Sequence, residues 1–450
     1  MIRHVAIIGA GFSGTLQAIN LLRHDGPRAT LIERATPGEG LAYGAAHPSH
    51  LLNVRAGGMS AFPDDPGHFV RWLAARGVAD AAGSFAPRLT YGAYLCELLD
   101  AAVAQSAGRL TILPGEVVDL DRAQGGVRLT LANGDALAAD AAVLAVGNLP
   151  SHDPAGLDAA TLPPPRYFGN PWDPRIAAGL DDDDTVLIVG TGLTMVDVAL
   201  SLEASGFGGR IIALSRRGLL PRRHAGGAAD WDRIEERPAA EASALVHEIR
   251  ARADTVGWRS AVDELRPFTQ SMWRNATPTQ RRRFIRHLRP WWDVHRHRLA
   301  PPVADRIEGL LAGGRLTVVA GKTIAFRAVP DAVALTWRRR GQAAAETIAV
   351  ARVINCTGPL GDLARAEEPL LRRLVARGLI RPDSAHLGID VDSEARTIAA
   401  DSTSNDDLFA LGPMTRGAFW EIVAVPDIRA LTWTLVRRLS NAQWVGGEGL

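Results

Sequence analysis

The sequence predicts an α/β protein built on two parallel-stranded βαβ units, the second inserted into the first, with a helical insert attached to the second. Three observations carry this. Short apolar runs at 3–8 and 185–189 each end in a glycine-rich turn and lead into a helix-patterned stretch. Each unit is completed by a second apolar run, at 29–33 and 211–214. Strand patterns return after residue 311, so the end of the chain resumes the first unit.

In chain order, 3–8 reads as a buried strand, 12–22 has helical spacing, and 29–33 is the second strand. Residues 110–120 and 127–137 alternate apolar and polar, as in a small antiparallel meander with a turn at Asn133-Gly134. Residues 141–146 form another buried strand closed by Gly147. Residues 149–184 are rich in Pro, Asp and Gly and read as a linker. The second unit follows as strand 185–189, helix 194–205 and strand 211–214. A polar stretch rich in Arg and Trp, 228–311, has helical spacing. Strand patterns at 316–319, 332–337 and 353–356 precede a buried run at 408–411, Gly412, and a helix over about 420–439. The expected domains are therefore 1–174 with 320–450, and 175–319 carrying the insert 228–311.

Composition narrows the function. The chain has 450 residues, 22% charged and 47% hydrophobic, with a net charge of +1, so no overall field draws it to nucleic acid or to an anionic membrane. Its cations are nearly all arginine, with Lys322 the exception. Cys96 and Cys356 have no CxxC spacing, which argues against a thiolate metal site and against the redox disulfide of disulfide reductases. No apolar run reaches a membrane-spanning length, and the early first strand leaves no room for a signal peptide. A cytoplasmic location is expected.

Gly9-Ala10-Gly11-Phe12-Ser13-Gly14 is a GxGxxG turn between strand and helix. Gly9 permits the turn, Gly11 lets the backbone approach a pyrophosphate, and Gly14 lets helix and strand pack closely. Glu33 ends the second strand, where a carboxylate accepts from ribose hydroxyls. Together these predict a Rossmann-like dinucleotide site. Gly190-Thr191-Gly192-Leu193-Thr194-Met195 is a second turn of this kind, looser because Met195 replaces the third small residue. Its second strand ends in Ser215-Arg216-Arg217, with no acid. Arginine there clamps a 2′-phosphate, so NADPH is expected rather than NADH; the alternative is a solvated arginine pair. Gly147 and Gly358 end strands where the chain crosses between units, and Gly412 opens a turn before the last helix; all three are candidate cofactor neighbours.

With these motifs, 40–44 (GLAYG), 50–54 (HLLNV), 59–63 (MSAFP), Pro87-Arg88, 91–95 (YGAYL), 412–417 (GPMTRG) and Trp420-Glu421 complete a pattern. The chain resembles a bacterial FAD/NAD(P)-binding protein family related to class B flavin monooxygenases and to lysine and ornithine N-hydroxylases. The resemblance implies FAD at the first unit, with Asn53 and Met59 beside the isoalloxazine and Arg88 and Tyr91 helping to hold the cofactor. Two departures matter. Residues 167–173 read YFGNPWD, without the histidine of the Baeyer–Villiger pattern, which argues against that chemistry. Pro413 stands where many relatives carry Asp, so the ribityl contact must differ.

In the insert, Trp258, Trp273, Trp291 and Trp292 interleave with Arg281, Arg282, Arg283, Arg286, Arg289, Arg296 and Arg298. One reading is a helical lid whose arginines pair with Asp263, Glu264 and Asp293; another is a cap over the flavin in which an arginine faces an anionic substrate. Nucleic-acid stacking is disfavoured by the neutral overall charge. His295 and His297 are two apart, so a helix points them apart and no metal site is expected. Gly321-Lys322-Thr323 lacks the upstream glycine of a P-loop. Trp420 and Glu421 open the last helix and, with Asn53, are candidates near the reacting centre. The expected function is an NADPH-dependent FAD monooxygenase, in which a C4a-peroxyflavin formed with O2 oxygenates a small amine or amino acid. A non-oxygenating reductase or dehydrogenase, and a flavin-binding regulatory subunit, are the alternatives.

Overall fold

The computed structural model describes residues 2–45, 47–225, 234, 237, 238 and 241–440. Its strands are β1 (His4–Ile8), β2 (Arg28–Glu33), β3 (Leu110–Pro114), β4 (Val117–Ala123), β5 (Gly126–Leu131), β6 (Ala136–Ala139), β7 (Ala141–Leu144), β8 (Tyr167–Phe168), β9 (Thr185–Val189), β10 (Arg210–Ser215), β11 (Leu316–Val329), β12 (Ala332–Arg339), β13 (Glu346–Val350), β14 (Arg352–Asn355), β15 (Arg396–Ile398) and β16 (Ser404–Ala410). Strands β16, β7, β1, β2 and β3 form a parallel sheet edged by antiparallel β15. A second sheet, in the order β13-β12-β11-β10-β9-β14-β8, is parallel from β11 to β8. The fold is α/β with two Rossmann-like sheets, as the sequence predicts.

Covering on both faces explains why β1 and β9 read as unbroken apolar runs. Val5 and Ile7 pack with Leu21, Val436 and Leu439, whereas Ala6 and Ile8 face Leu129, Leu371 and Leu374. In β9, Val186 and Ile188 meet Met195, Ala199 and Ile307, and Leu187 and Val189 meet Val333, Leu335 and Val350.

The structure redraws several boundaries. Residues 110–120 are two strands, because Gly115 adopts φ +157° and a side chain there would strike Leu131. β3 extends the first parallel sheet beside β2, and only β4, β5 and β6 make the antiparallel meander. The division at 319/320 falls inside β11, which pairs with β10 through Ala320, bulges between Thr323 and Ala325, and continues as a hairpin with β12. The second sheet therefore runs from Tyr167 to Asn355, and β13 adds a strand that the pattern did not reveal. Gly321-Lys322-Thr323 lies within β11, where no phosphate loop exists. The last helix spans Val425–Leu439 and starts later than expected, since Pro426 fits only its first turn.

The start of the 228–311 stretch lies mostly outside the described residues. From Ala242 the insert is helical: Ala242–Val256, Trp258–Asp263, Arg266–Asn275, Pro278–Arg283, a π turn over Phe284–Leu288, Arg289–Arg296 and Pro301–Ala312. Among the described residues, no helix is long and apolar enough to cross a membrane.

Candidate functional site

A cleft of about 2890 Å³ runs between the glycine turn after β1, the start of the helix after β9, and the helical insert. Gly9, Gly11, Phe12, Ser13 and Glu33 line it from the first unit, and Leu193 and Thr194 from the second. Asn53, Met59, Arg88, Gly147, Gly358 and Glu421 also reach its wall. Its size suits an extended ligand rather than a small one alone.

The first glycine turn is shaped by contacts that permit no side chain. Gly9 has φ +99°, and a Cβ there would lie 2.5 Å from the Ala145 carbonyl oxygen; a Cβ at Gly14 would lie 1.8 Å from the Gly9 carbonyl oxygen. Gly11 differs, because a Cβ there would meet nothing closer than Gly40 Cα at 3.7 Å. Gly11 thus keeps the cleft open, while Gly14 serves packing and is not on the cleft wall. The Glu33 carboxylate accepts from the Ala10 amide at 2.7 Å and the Ala35 amide at 3.0 Å. It fixes the turn and keeps lone pairs for a further donor. Gly412, with φ +79°, is packed against the Ser13 side chain, so the last turn braces the first.

In the second unit, Gly190 has φ +122° and approaches the Cys356 carbonyl too closely for any Cβ, whereas Gly192 faces open space. The three residues at the end of β10 have separate roles. The Ser215 hydroxyl accepts from Thr191 Oγ1 at 2.9 Å and from the Gly218 amide at 3.0 Å, which secures the turn. Arg217 donates to the carbonyl oxygens of His287 and Arg286, so it ties β10 to the insert. Arg216 is exposed and is the member of the pair left available to a ligand phosphate.

Arg88 has a partner that the sequence did not indicate. It lines the cleft, yet its guanidinium pairs with Asp197 at 2.7 Å, on the helix that follows β9. His50 Nε2 lies 3.0 Å from both the Asp197 carbonyl oxygen and Ser201 Oγ. The two nucleotide units are thus latched together by buried polar groups. Burial pushes the Asp197 carboxyl up to about 6 although Arg88 opposes the shift, and burial holds the His50 imidazole down at about 4. Tyr91 is fully buried among Phe12, Tyr43 and Phe69, behind the cleft wall.

Gly147 and Gly358 both have positive φ and lie on the cleft at the two crossings between the sheets. Leu149 and Leu360 are bridged, and Ser151 Oγ donates to the Gly358 carbonyl at 2.6 Å, so the crossings run side by side. Asn53 is placed by its carbonyl oxygen, 2.9 Å from His224 Nε2, and Met59 is buried.

The insert uses its arginines both ways. Arg298 pairs with Asp263, Arg252 with Glu264 and Arg289 with Asp293, as a lid would require. Its Trp–Arg interleaving makes cation–π stacks: Arg259 lies 4.4 Å from the Trp258 ring centroid, and Arg281 lies 5.1 Å from that of Trp273. Trp420 is buried on Trp273 with centroids 4.6 Å apart and does not reach the cleft wall. Glu421 does reach it, accepting from Trp292 Nε1 at 3.2 Å. Arg266, Arg296 and Arg416 also line this end; Arg416 belongs to the 412–417 turn, whereas no glycine signature marks Arg266 and Arg296, which only the folded insert brings to Glu421. Among the described residues, no group of three or more His, Cys, Asp and Glu side chains is placed to hold a metal ion.

Residues 6–149 match a family model described as FAD-NAD(P)-binding. No curated protein matches the chain. Among solved structures, the chain is similar to the ornithine hydroxylase of Pseudomonas aeruginosa, with a TM-score of 0.68 and 15% identity over 98% of this chain and 99% of that one. It is also similar to an ornithine N-hydroxylase of Kutzneria sp. 744 determined with reduced FAD, NADP+ and L-ornithine (TM-score 0.63, 14% identity, 98% and 99% covered). The thioredoxin reductase of T. acidophilum matches with a TM-score of 0.54 at 13% identity, with 98% of both chains covered. At these identities the likeness establishes the fold.

Proposed function

We propose that the protein is a flavin-dependent oxidoreductase that binds FAD at Gly9–Gly14 and Glu33 and takes hydride from NADPH held at Gly190–Thr194 and Arg216. The reading is carried by one cleft that the first glycine turn, the start of the helix after the second glycine turn, and the helical insert all line. FAD, when bound, accepts hydride from NADPH and passes electrons to O2. The overall reaction is oxygenation of a small amine: RNH2 + O2 + NADPH + H+ gives RNHOH + H2O + NADP+. The amine supplies the electron pair for the new N–O bond, one oxygen atom leaves as water, and NADPH supplies two electrons.

The chain's own residues have definite tasks in this scheme. The Gly11 backbone admits the diphosphate, and Glu33 accepts from ribose hydroxyls while holding the turn. Latched by Arg88 and Asp197, the two nucleotide units keep a fixed separation, which sets the approach of nicotinamide to flavin. The insert excludes water from the reacting centre. Support for oxygenation over disulfide reduction comes from the thiols: Cys356 is buried, Cys96 is half-buried, and both are free. The higher TM-score with the ornithine hydroxylase, 0.68 against 0.54 for the thioredoxin reductase, accords with this reading.

The test compares NADPH consumed with hydrogen peroxide released, in the presence of a panel of small amines and amino acids. An oxygenase consumes NADPH with peroxide well below one equivalent when its substrate is present. One full equivalent of peroxide with every amine, or no oxygen use, would favour the reductase. Arg216→Ala is expected to raise KM for NADPH about ten- to a hundredfold, the worth of a lost charge-assisted phosphate contact, with KM for NADH little changed. Equal effects on both nucleotides would remove Arg216 from the 2′-phosphate.

A further inference from the structure

The insert and the last turn bring four arginines, Arg266, Arg289, Arg296 and Arg416, to the end of the cleft around Glu421. Their bonding to one another is incomplete. Arg266 NH1 and Arg296 Nε each stand 3.5 Å from Glu421 Oε2, and none of these three atoms has a hydrogen-bond partner. Nε of Arg416 is also buried without a partner. Arg266 is engaged elsewhere by Asp427, and Arg289 by Asp293. Arg416 is held over the Trp420 ring, 4.5 Å from its centroid, and makes no ion pair among the described residues. Burial and the neighbouring Arg289 pull its pKa down to about 10, and burial keeps nearby His297 neutral, with a pKa of about 4.

Buried polar atoms are ordinarily bonded, and a buried charge is ordinarily paired. Here the unmet atoms are mostly cationic donors, they converge on one place, and that place opens on the cleft. Planar guanidinium groups match oxyanions in shape and charge. We infer that this cluster binds an oxyanion group of the substrate, a carboxylate or a phosphate, with Arg416 and Arg296 as its donors and Glu421 holding the arginines in position. The inference rests on the catalytic reading above and names the chemical class of its substrate: a small molecule carrying an oxyanion beside the atom that reacts. The diphosphate of FAD has its own acceptor at Gly9–Gly14, where the backbone and helix N-terminus face it.

The test is calorimetric titration of the oxidised, FAD-loaded protein with succinate, inorganic phosphate and uncharged succinamide at fixed ionic strength. At least one of the two anions is expected to bind at a single site, the tighter one naming the oxyanion, and succinamide is expected not to bind. Arg416→Gln and Arg296→Gln should each weaken the anion at least tenfold, with the unfolding transition checked for both; Arg216→Gln should leave it unchanged. Equal binding to wild type and to both variants overturns the inference. So does loss of binding in Arg216→Gln alone, which would place the anion at the nucleotide strand end. Failure of both anions to bind the FAD-loaded protein also overturns it, and binding to FAD-free protein would then assign the arginines to the flavin. Since no turnover is involved, failure of the oxygenase reading would show in the peroxide stoichiometry and leave this titration intact.

Discussion

Gly11→Val is expected to fold like the wild type and to purify without flavin. A Cβ at Gly11 would meet nothing closer than Gly40 Cα at 3.7 Å, so the fold is expected to accept it, while the branch projects where the cofactor must pass. FAD affinity should fall at least a hundredfold, which corresponds to about 2.8 kcal/mol. Flavin absorbance after gel filtration, with the unfolding midpoint of the FAD-free protein, separates the two effects. Wild-type flavin content in Gly11→Val would sink the assignment of this turn. Gly14→Val makes the contrast: its Cβ would stand 1.8 Å from the Gly9 carbonyl oxygen, so stability and flavin content should both be lost.

The second large effect is expected at the latch between the nucleotide units. Asp197→Ala leaves the Arg88 guanidinium, whose side chain is 16% exposed, without its carboxylate. Removing one member of a buried pair costs about 3–5 kcal/mol, because the remaining charge is stranded. The denaturant midpoint should drop accordingly, and an unchanged midpoint would mean that the latch is solvated. The same pair predicts a pH signature. The folded pKa of Asp197 is raised to about 6, so its contribution is present at low pH and is lost as pH rises from about 4 to about 6. His50 is lowered to about 4 by burial, so its contribution is present above about 6.5 and is lost as pH falls towards 4. The two oppose each other in the wild type. In Asp197→Asn only the histidine effect remains at this latch, and stability should fall more steeply than in the wild type between pH 6.5 and 4. Parallel pH profiles for the two proteins would contradict this assignment.

Local chemistry was legible in the sequence wherever one short segment determines its own geometry. The strand–glycine–helix turns at Gly9 and Gly190 are such places, because the order of strand, glycines and helix is read from consecutive residues, although the carbonyls that crowd the two glycines come from the distant Ala145 and Cys356. The continuous apolar runs of β1 and β9 likewise announced sheets covered on both faces. The meander turn at Asn133-Gly134 and the i,i+4 pair of Arg289 with Asp293 belong to the same category, whereas Arg298 meets Asp263 only once the insert has folded.

What only the tertiary structure decided depends on contacts between distant segments. Whether 110–120 was one strand or two turned on Leu131 crowding Gly115. The division expected at 319/320 falls inside β11, which serves a parallel sheet with one half and a hairpin with the other, and an alternating pattern cannot show which neighbour each half will find. Arg88 and Asp197 meet across two units, and Arg217 meets insert carbonyls some seventy residues further on, so neither side chain's partner was visible locally. The arginine cluster at Glu421 is the strongest case: residues from two helices and a turn become one charged surface only when the insert folds over the cleft. Sequence alone determined the nucleotide turns, because backbone sterics act over a few residues; side-chain electrostatics act through space, so the rest of the site required the fold.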